Sequence, residues 1–298
     1  MKHLLDIADL GPEGLKEVLD LARAADPGRP LEGKGAALVF QHPSARTRNS
    51  MEMAVVQLGG HPVYITDAEV GMGTRESPAD VARTLASYHS LIAARVRDHR
   101  LLEGMVAASP VPIVNMLSDA AHPLQALADL LTLQDELGRL EGVTVAYVGD
   151  VNNVARSLAV ACAMAGVTLR LAAPDGFDCT DADLKAWSAY GAEVTLTSNP
   201  REAVADADAV YTDVWTSMGQ EEENERRKKI FAPYQVNDAL MAAAKPDAIF
   251  LHCLPAKRGF EVTDSVVDSP ASRVWPQARN RMHSARGALA WLLAHADG

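Results

Sequence analysis

The sequence AALVFQHPSARTRNSMEMAVVQLGG, residues 36–60, predicts a buried strand, a tight turn and a helix, in that order. Apolar residues fill positions 36–40, and the apolar spacing after the turn is helical. The turn carries the hydroxyls of Ser44 and Thr47 and the guanidinium of Arg46. Backbone N–H groups at a helix start, two hydroxyls and a guanidinium can together bind an anion such as phosphate.

The same turn has a simpler interpretation. Ser44 or Thr47 can cap the helix while the arginines stay in solvent, since serine and threonine are preferred capping residues. This stretch alone supports both interpretations equally. The choice between them depends on the rest of the chain.

The composition is that of a globular protein, and its net charge argues against a general affinity for anions. The 298 residues are 48% hydrophobic and 22% charged, which allows two domains with a sizeable core. A formal net charge of −11 argues against nucleic acid as a partner, because phosphate backbones are bound by basic surfaces. Any anionic ligand must therefore bind a local basic cluster.

The cysteines and the N-terminal residues indicate a reducing compartment. Cys162, Cys179 and Cys253 are odd in number and widely spaced, so the sequence predicts neither a disulfide framework nor a structural zinc site. No apolar run has the length of a signal-peptide core or a membrane span. We expect a cytoplasmic protein with no membrane partner.

Strand-like and helix-like segments alternate along the chain in two series, which predicts an α/β fold with two parallel sheets flanked by helices. We expect one domain over residues 1–132, completed by a C-terminal helix at 278–298, and a second over 142–277, joined by interdomain helices. A charged run at 220–229 is most simply a solvated helix or loop. The predicted strands are 36–40, 61–66, 91–96, 111–115, 143–150, 167–171, 193–196, 209–213 and 248–252.

Polar residues follow several of these strands. Ligands of open α/β sheets bind outside the carboxyl ends of the strands, so these residues are candidates for a site. His122 and Gln125 join them because they lie three apart on one predicted helix face. The strand-end candidates are Ser44–Thr47, Arg95, Asn152–Asn153, Asp213 with Ser217–Gly219, and His252–Pro255.

Each candidate taken alone has a structural interpretation. Arg95 can form a strand-end salt bridge, and a lone histidine such as His122 is more often structural than catalytic. Asn152 and Asn153 suit a turn, and an unpaired cysteine such as Cys253 usually behaves as a small buried apolar residue. Only their joint placement at strand ends favours a functional site.

The motifs that the chain lacks exclude several enzyme classes. Only Gly149 is present where a dinucleotide-binding fold carries its three glycines, which disfavours a nicotinamide cofactor. No P-loop sequence, HExxH pair or His/Cys cluster occurs, so the sequence favours neither a P-loop nucleotide enzyme nor a metal site. We expect no cofactor and no metal.

Four segments resemble motifs of the aspartate/ornithine transcarbamylase family. Residues 44–48, SARTR, resemble its Ser-Thr-Arg-Thr-Arg carbamoyl phosphate loop, and 122–129, HPLQALAD, resemble its His-Pro-x-Gln-x-x-x-Asp helix. Residues 213–219, DVWTSMG, and 252–255, HCLP, resemble the amino-acid-binding segments of the ornithine branch. The resemblance runs from about residue 3 to the last helix, with the motifs in the family's order.

The resemblance implies carbamoyl transfer from carbamoyl phosphate to the δ-amine of L-ornithine, with the N-terminal domain binding the first substrate. It implies catalytic roles for Arg95, His122, Asp213 and Cys253. The implied carbamoyl phosphate contacts are Ser44, Ala45, Arg46, Thr47, Arg95, His122, Gln125, Leu254 and Arg281. The implied ornithine contacts are Asn153, Asp213, Ser217, Met218 and Cys253. The segment after Asp213 up to about Lys229 is a candidate lid, because it joins residues 217–219 to a polar run.

The chain departs from the family pattern at two positions. Ala45 replaces a threonine of the phosphate loop, which keeps a backbone amide contact and loses any side-chain hydrogen bond. Gly71 lies where some relatives place a histidine donated by the neighbouring subunit, so we assign no such contact. The compact C-terminus resembles that of trimeric biosynthetic forms, which predicts a homotrimer or a multiple of trimers.

Three other functions are consistent with parts of the sequence. A relative that carbamoylates putrescine, N-acetylornithine or aspartate would share the phosphate half of the site. A nicotinamide enzyme could use a similar sheet but lacks its glycines here. A non-catalytic homologue would be expected to lose Arg46, His122 or Gln125, and all three are present.

Overall fold

The computed structural model of the chain describes residues 2–191, 193–216 and 224–296. It divides into two compact units, Met1–Leu131 with Arg279–Gly298 (unit 1) and Thr132–Ala278 (unit 2). Both unit boundaries fall inside helices, the first in α6 (Pro123–Leu137) and the second in α13 (Val274–Ala294). The predicted fold, two parallel sheets flanked by helices, is confirmed.

Unit 1 is built on a parallel four-stranded sheet with the order β2-β1-β3-β4. Its central strand β1 pairs with β2 on one side and β3 on the other, and buried aliphatic side chains of β1 and β3 pack against the helices. The strands are β1 (Gly35–Phe40), β2 (His61–Thr66), β3 (Leu91–Arg95) and β4 (Ile113–Leu117). The helices are α1 (Gly11–Arg23), α2 (Ala45–Gln57), α3 (Asp67–Val70), α4 (Pro78–Ala86) and α5 (His99–Val106).

Unit 2 is built on a parallel five-stranded sheet with the order β7-β6-β5-β8-β9. Its strands are β5 (Thr144–Val148), β6 (Thr168–Ala172), β7 (Val194–Thr197), β8 (Ala209–Thr212) and β9 (Ile249–His252). Its helices include α7 (Asn153–Met164), α8 (Asp181–Ser188), α9 (Pro200–Val204), α10 (Asn224–Phe231), α11 (Asp238–Met241) and α12 (Asp264–Val267).

In both sheets the strand order reverses beside the strand that begins the unit's α/β series. The chain leaves β1 toward α2, and β3 lies on the opposite side of β1 from β2. In the same way, β5 lies between β6 and β8. Loops that leave neighbouring strands in opposite directions open a crevice at the carboxyl edge of a sheet. Each unit therefore has one position that is favourable for a ligand.

Element ends differ from the sequence-based predictions by a few residues. The last helix begins at Val274 rather than at 278, because Pro276 lies in its first turn, where a missing N–H removes no helical hydrogen bond. Strand β4 covers Ile113–Leu117 rather than 111–115. Among the described residues, no helix has the length and apolar character that a membrane crossing requires.

Helices α1 and α13 approach closely within unit 1. A methyl group on Gly287 would lie 2.5 Å from the carbonyl oxygen of Val18 and 2.7 Å from the backbone nitrogen of Ala22. The guanidinium of Arg286 donates to the carbonyl oxygens of Ala22 and Ala24 at 2.9 and 2.7 Å, which fixes the end of α1. The contact leaves no room for a side chain at position 287.

We therefore expect Gly287→Ala to destabilise the protein. Overpacking of this kind typically costs about 1–3 kcal/mol of unfolding free energy, so the melting temperature measured by calorimetry should fall by several degrees. At an open helix position the same change would add up to about 1 kcal/mol of stability. A higher melting temperature for the variant would contradict the close approach of the two helices.

Candidate active site

The predicted phosphate turn lies at the amino end of α2, directly after β1. Ser44 is the N-cap residue of α2, and its hydroxyl oxygen accepts a hydrogen bond from the Thr47 backbone N–H at 3.3 Å. The capping interpretation of Ser44 is thus correct, and the cap also fixes the shape of the turn. Ala45 and Arg46 begin the helix and are exposed. A helix start with an exposed arginine suits an anionic ligand.

Arg95 lies at the carboxyl end of β3, beside the strand that leads into the turn. Its partner across the sheet is Phe40, the last residue of β1. Its side chain is buried, and Nη1 donates to the Thr47 hydroxyl oxygen at 3.3 Å. The structure therefore brings together the guanidinium and the hydroxyl that the sequence predicted to meet one carbonyl oxygen.

His122 precedes α6 and is buried in an electropositive environment. Burial, and after it the positive charges of Arg281 and Arg95, hold the pKa of His122 well below its usual range. Arg281, on α13, is itself buried. The imidazole is therefore neutral at pH 7, and one of its nitrogens carries a hydrogen that can be donated to an oxygen without adding a charge.

Gln125 has a fixed amide orientation. Its Nε2 donates to Oδ1 of Asp129 at 2.8 Å, and both side chains are buried. Because a carboxylate only accepts hydrogen bonds, the amide nitrogen must face Asp129. The carbonyl oxygen of Gln125 is then the group that can accept from a ligand amine. The sequence contains Asp129 in the resembling motif but gives no role for it.

In unit 2, Asn152 and Asp213 connect the carboxyl ends of β5 and β8. Asn152 caps α7 by accepting from the N–H groups of Val154 and Ala155 at 2.9 and 3.2 Å, and its Nδ2 donates to Asp213 Oδ2 at 3.0 Å. Asn153 is the first residue of α7. Asn152 is therefore a turn and capping residue, as its structural interpretation predicted. Its side chain also orients the Asp213 carboxylate.

Asp213 also accepts a hydrogen bond from the thiol of Cys253, the residue that follows β9. Cys253 Sγ donates to Asp213 Oδ1 at 3.1 Å, and the same oxygen accepts from the Val214 backbone N–H at 2.8 Å. Asp213 is buried, while Cys253 is only partly buried. The pair therefore presents a carboxylate and a thiol, two groups that can accept from an amine.

His252, which precedes this thiol, shapes the loop after β9. Its Nδ1 accepts from the Leu254 N–H at 2.8 Å, so its Nε2 carries the hydrogen and points to Glu261 Oε1 at 3.2 Å. Leu254 has a φ of 60°, an uncommon backbone conformation for a non-glycine residue, and its peptide bond to Pro255 is cis. Sequence reasoning missed Glu261, because it lies in no motif and follows no predicted strand.

The ligand atoms of Asp213, His252 and Cys253 lie within 4.8 Å of one another, a spacing that a metal ion could bridge. Both ring nitrogens of His252 already make protein hydrogen bonds, however, so only two of the three groups could be ligands. Structural and catalytic zinc sites use at least three protein ligands. The donor set fits an amine better than a metal ion.

The charged run at 220–229 was predicted to be a solvated helix or loop, and this is wrong at one position. Residues 220–223 lie outside the described residues, and 224–229 belong to α10, where Glu225, Arg226 and Lys229 are exposed but Arg227 is buried. Its guanidinium contacts the Asp150 carboxylate and the Trp215 carbonyl oxygen and lies 4.6 Å from the Phe177 ring centroid. Burial raises the pKa of Asp150, with Arg227 acting against that rise. The ion pair and the aromatic ring compensate for the desolvation of the guanidinium.

Two predicted ornithine contacts, Ser217 and Met218, lie outside the described residues, as does much of the proposed lid. Gly71 is described and ends α3 in the left-handed conformation at φ 60°. A β-carbon there would lie 2.9 Å from the β-carbon of Arg75. The local backbone therefore favours the glycine that distinguishes this chain from relatives with a histidine at the position.

Comparison with known proteins finds similarity over almost the whole chain. The family model described as "Aspartate/ornithine carbamoyltransferase, carbamoyl-P binding domain" matches residues 2–135, and "Aspartate/ornithine carbamoyltransferase, Asp/Orn binding domain" matches residues 141–292. Ornithine carbamoyltransferase from Thermus thermophilus is 47% identical over 296 residues, which cover 98% of this chain and 97% of that protein.

Two further similarities involve Pyrococcus furiosus. Its protein named "Ornithine carbamoyltransferase, anabolic" is 45% identical over 304 residues, which cover 98% of this chain and 96% of that protein. A solved structure of ornithine carbamoyltransferase from the same organism superposes with a TM-score of 0.93 and 45% identity, covering 98% of this chain and 97% of that one.

The low pKa of His122 predicts a loss of stability in acid. The unfolded chain binds a proton at this histidine near pH 6.5, whereas the folded chain does so only at lower pH. The stabilising effect of the neutral imidazole is therefore complete above pH 6.5 and is lost as the pH falls below it. We expect His122→Gln to reduce the fall in melting temperature between pH 7.5 and 5.5. An unchanged pH dependence in the variant would contradict the neutral assignment.

The Gln125–Asp129 bond predicts a second effect. Asp129→Asn keeps the shape of the side chain but allows the Gln125 amide to turn over, since an asparagine can donate as well as accept. We expect the KM for carbamoyl phosphate to rise about tenfold, as for the loss of one hydrogen bond of roughly 1.4 kcal/mol, while the KM for ornithine stays unchanged in steady-state assays. Equal increases in both KM values would contradict this role.

Proposed function

The chain belongs to the aspartate/ornithine carbamoyltransferase family, and we propose that it transfers the carbamoyl group of carbamoyl phosphate to the δ-amine of L-ornithine. The products are L-citrulline and phosphate. The observation that carries the proposal is the neutral, buried His122 in the field of Arg95 and Arg281. A neutral imidazole among guanidiniums suits a substrate with both an anionic group and a carbonyl oxygen.

Carbamoyl phosphate binds to unit 1 in this proposal. The phosphate group occupies the turn at the start of α2, where the Ser44 hydroxyl, the Ala45 amide, Arg46 and Thr47 hold it, with Arg281 as a further cation. The supporting geometry is the Ser44 cap, which fixes the turn, and the exposed Arg46 beside it. Bidentate arginine–phosphate bonds then provide both affinity and orientation.

Arg95, His122 and Thr47 form the proposed oxyanion site. The carbonyl oxygen gains negative charge as the amine attacks, and the Arg95–Thr47 hydrogen bond holds two of the three donors before substrate binds. Preorganised donors of this kind are typically worth about 3 kcal/mol each in the transition state. The carbamoyl amine donates to the Gln125 oxygen, which the bond to Asp129 leaves facing away from that carboxylate.

Ornithine binds to unit 2 in this proposal. Asn153 and Asp213 bind the α-amino end, Ser217 and Met218 contact the amino acid, and Cys253 with Asp213 orients the δ-amine. The support is the Cys253–Asp213 hydrogen bond, which places a thiol and a carboxylate side by side. A carbamoyl acceptor that carries an amine at each end suits this thiol and carboxylate.

The chemistry needs no protein nucleophile and no cofactor. The neutral δ-amine forms the new N–C bond, the C–O bond to phosphate breaks, and the proton lost by the amine goes to the departing phosphate. Arg46 and Arg281 stabilise the charge on that phosphate. The residues act mainly by alignment, which can supply several kcal/mol of the rate enhancement.

We further propose a biosynthetic role in making citrulline for arginine, because a similar protein of Pyrococcus furiosus is named anabolic. A homotrimer in the cytoplasm is the assembly and location we propose. Light scattering after size exclusion measures the mass of the assembly directly, and a monomer would contradict this part of the proposal.

The central experiment measures product formation by the purified protein with carbamoyl phosphate and a panel of amines. We expect citrulline from L-ornithine and far slower reaction with putrescine, N-acetylornithine and aspartate. Preference for another amine would overturn the ornithine assignment and keep the phosphate site. Absence of turnover with all four amines would favour a non-catalytic homologue.

Arg46→Ala tests the phosphate turn, with Arg48→Ala as the matched control. Arg48 is on the same helix two residues on, but it pairs with Glu52 at 2.8 Å and lies 4.0 Å from the Tyr64 ring centroid. We expect Arg46→Ala to abolish saturable carbamoyl phosphate binding in calorimetry, because the phosphate loses its exposed cation, and Arg48→Ala to retain it. Wild-type turnover by Arg46→Ala would overturn the assignment.

A further inference from the structure

Gln41 follows β1 and precedes the phosphate turn, and neither the helix cap nor the proposed substrate contacts use it. Its backbone N–H donates to the Arg95 carbonyl oxygen at 2.9 Å. Its side-chain Oε1 accepts from the Arg97 backbone N–H at 3.0 Å, and its Nε2 donates to the Met72 carbonyl oxygen at 3.2 Å. One residue thus joins the end of β1 to the end of β3 and to the loop that follows α3.

The pairing of β3 with β4 is irregular at the end of β3, beside the residues that Gln41 contacts. The register between β3 and β4 slips by one residue, so that Ala94 faces Asn115 but Arg95 faces Leu117. Such irregularities redirect the side chains beside them. Pairing with β4 resumes after this slip, since the Val96 N–H donates to the Leu117 carbonyl oxygen at 2.9 Å. Gln41 adds two bonds beside Arg95: its backbone N–H donates to the Arg95 carbonyl oxygen, and its side-chain oxygen accepts from the Arg97 N–H.

The next residue strengthens the same connection. The His42 imidazole contacts the Arg97 guanidinium, with Arg97 Nε donating to His42 Nε2. Burial, and then the charges of Arg97 and Arg95, lower the pKa of His42, which keeps this nitrogen free to accept. Gln41 holds the backbone of Arg97, and His42 holds its side chain.

The bonding pattern uses both ends of the carboxamide at position 41. The oxygen accepts from the Arg97 backbone N–H, and the nitrogen donates to the Met72 carbonyl oxygen. A glutamate keeps the acceptor and loses the donor, and a leucine of similar size loses both. These two substitutions therefore separate the bond to Arg97 from the bond to Met72.

We propose that Gln41 is a positioning residue, which fixes the guanidinium of Arg95 against Thr47 through its bonds at the end of β3. The inference rests on the proposed function, since Arg95 meets the carbonyl oxygen of carbamoyl phosphate there. Inorganic phosphate has no such carbonyl and binds at the turn. Gln41 therefore affects the reacting carbonyl and leaves phosphate binding largely unchanged.

The experiment compares Gln41→Leu and Gln41→Glu with wild type, and Gln235→Leu is the matched control. Gln235 also joins loops, since its Nε2 donates to the carbonyl oxygens of Gly259 and Phe260 at 3.1 and 2.8 Å, but it belongs to unit 2. We expect Gln41→Leu to lower kcat/KM for carbamoyl phosphate at least about tenfold, the usual effect of one lost hydrogen bond or more. Gln41→Glu should lose only about threefold or less, because the bond to Arg97 remains.

Calorimetry with inorganic phosphate supplies the second readout. We expect the Kd for phosphate to change by less than about twofold in Gln41→Leu and Gln235→Leu, because neither neutral substitution removes a direct phosphate contact. If Gln41→Leu and Gln235→Leu lower the melting temperature by the same amount and both keep the wild-type kcat/KM, the role of Gln41 is merely structural and the proposal is wrong. If Gln41→Glu is as impaired as Gln41→Leu, the bond to Met72 matters instead, and the assignment to Arg95 is wrong.

NMR of the arginine side chains tests the proposal without turnover. The Nε–H signal of Arg95, identified by its loss in Arg95→Lys, should shift in Gln41→Leu and keep its position in Gln235→Leu. An unshifted signal in Gln41→Leu overturns the proposal. Absence of turnover in wild type with a shifted Arg95 signal overturns the proposed function and supports the role of Gln41.

Discussion

The reversal of strand order in each parallel sheet is the constraint on which the candidate site depends. Parallel strands end at one edge, and the loops diverge where the order reverses. In unit 1 this position lies between β1 and β3, and it receives the turn at Ser44 and the side chain of Arg95. In unit 2 it lies between β5 and β8, and it receives Asn152 and Asp213. The same topology, used twice, brings together the residues that we propose bind an anion in unit 1 and an amine in unit 2.

Two buried arginines concentrate positive charge around His122 in unit 1. Burial, and after it the charges of the buried Arg281 and Arg95, lower the pKa of His122, so adding a third positive charge there is unfavourable. The imidazole remains a neutral donor, and the chain as a whole carries a net charge of −11. A local basic cluster on an acidic protein suits a small anion better than a polyanion.

The sequence predicted the strands to within a few residues, and with them the strand ends at which the candidate residues lie, because apolar runs are local signals. The Arg95–Thr47 contact followed from topology, since Arg95 ends β3 and Thr47 lies in the first turn of α2, the helix that follows the neighbouring strand β1. The sequence did not predict the burial of Arg227, whose partner Asp150 is 77 residues away. Charge spacing along a helix says nothing about such a partner. Glu261 and Gln41 were missed for the same reason: their bonds join segments that no local pattern links.

The discontinuity of unit 1 has a consequence for biosynthesis. The unit contains the first 131 residues and the last 20, Arg279–Gly298. During translation its sheet leaves the ribosome long before Arg286 can bind the end of α1 or Arg281 can reach His122. The α1 face that receives α13 stays uncovered until residues 279–298 have been synthesised. A premature stop just before Arg279 would therefore damage the N-terminal unit and leave the sheet of the other unit intact.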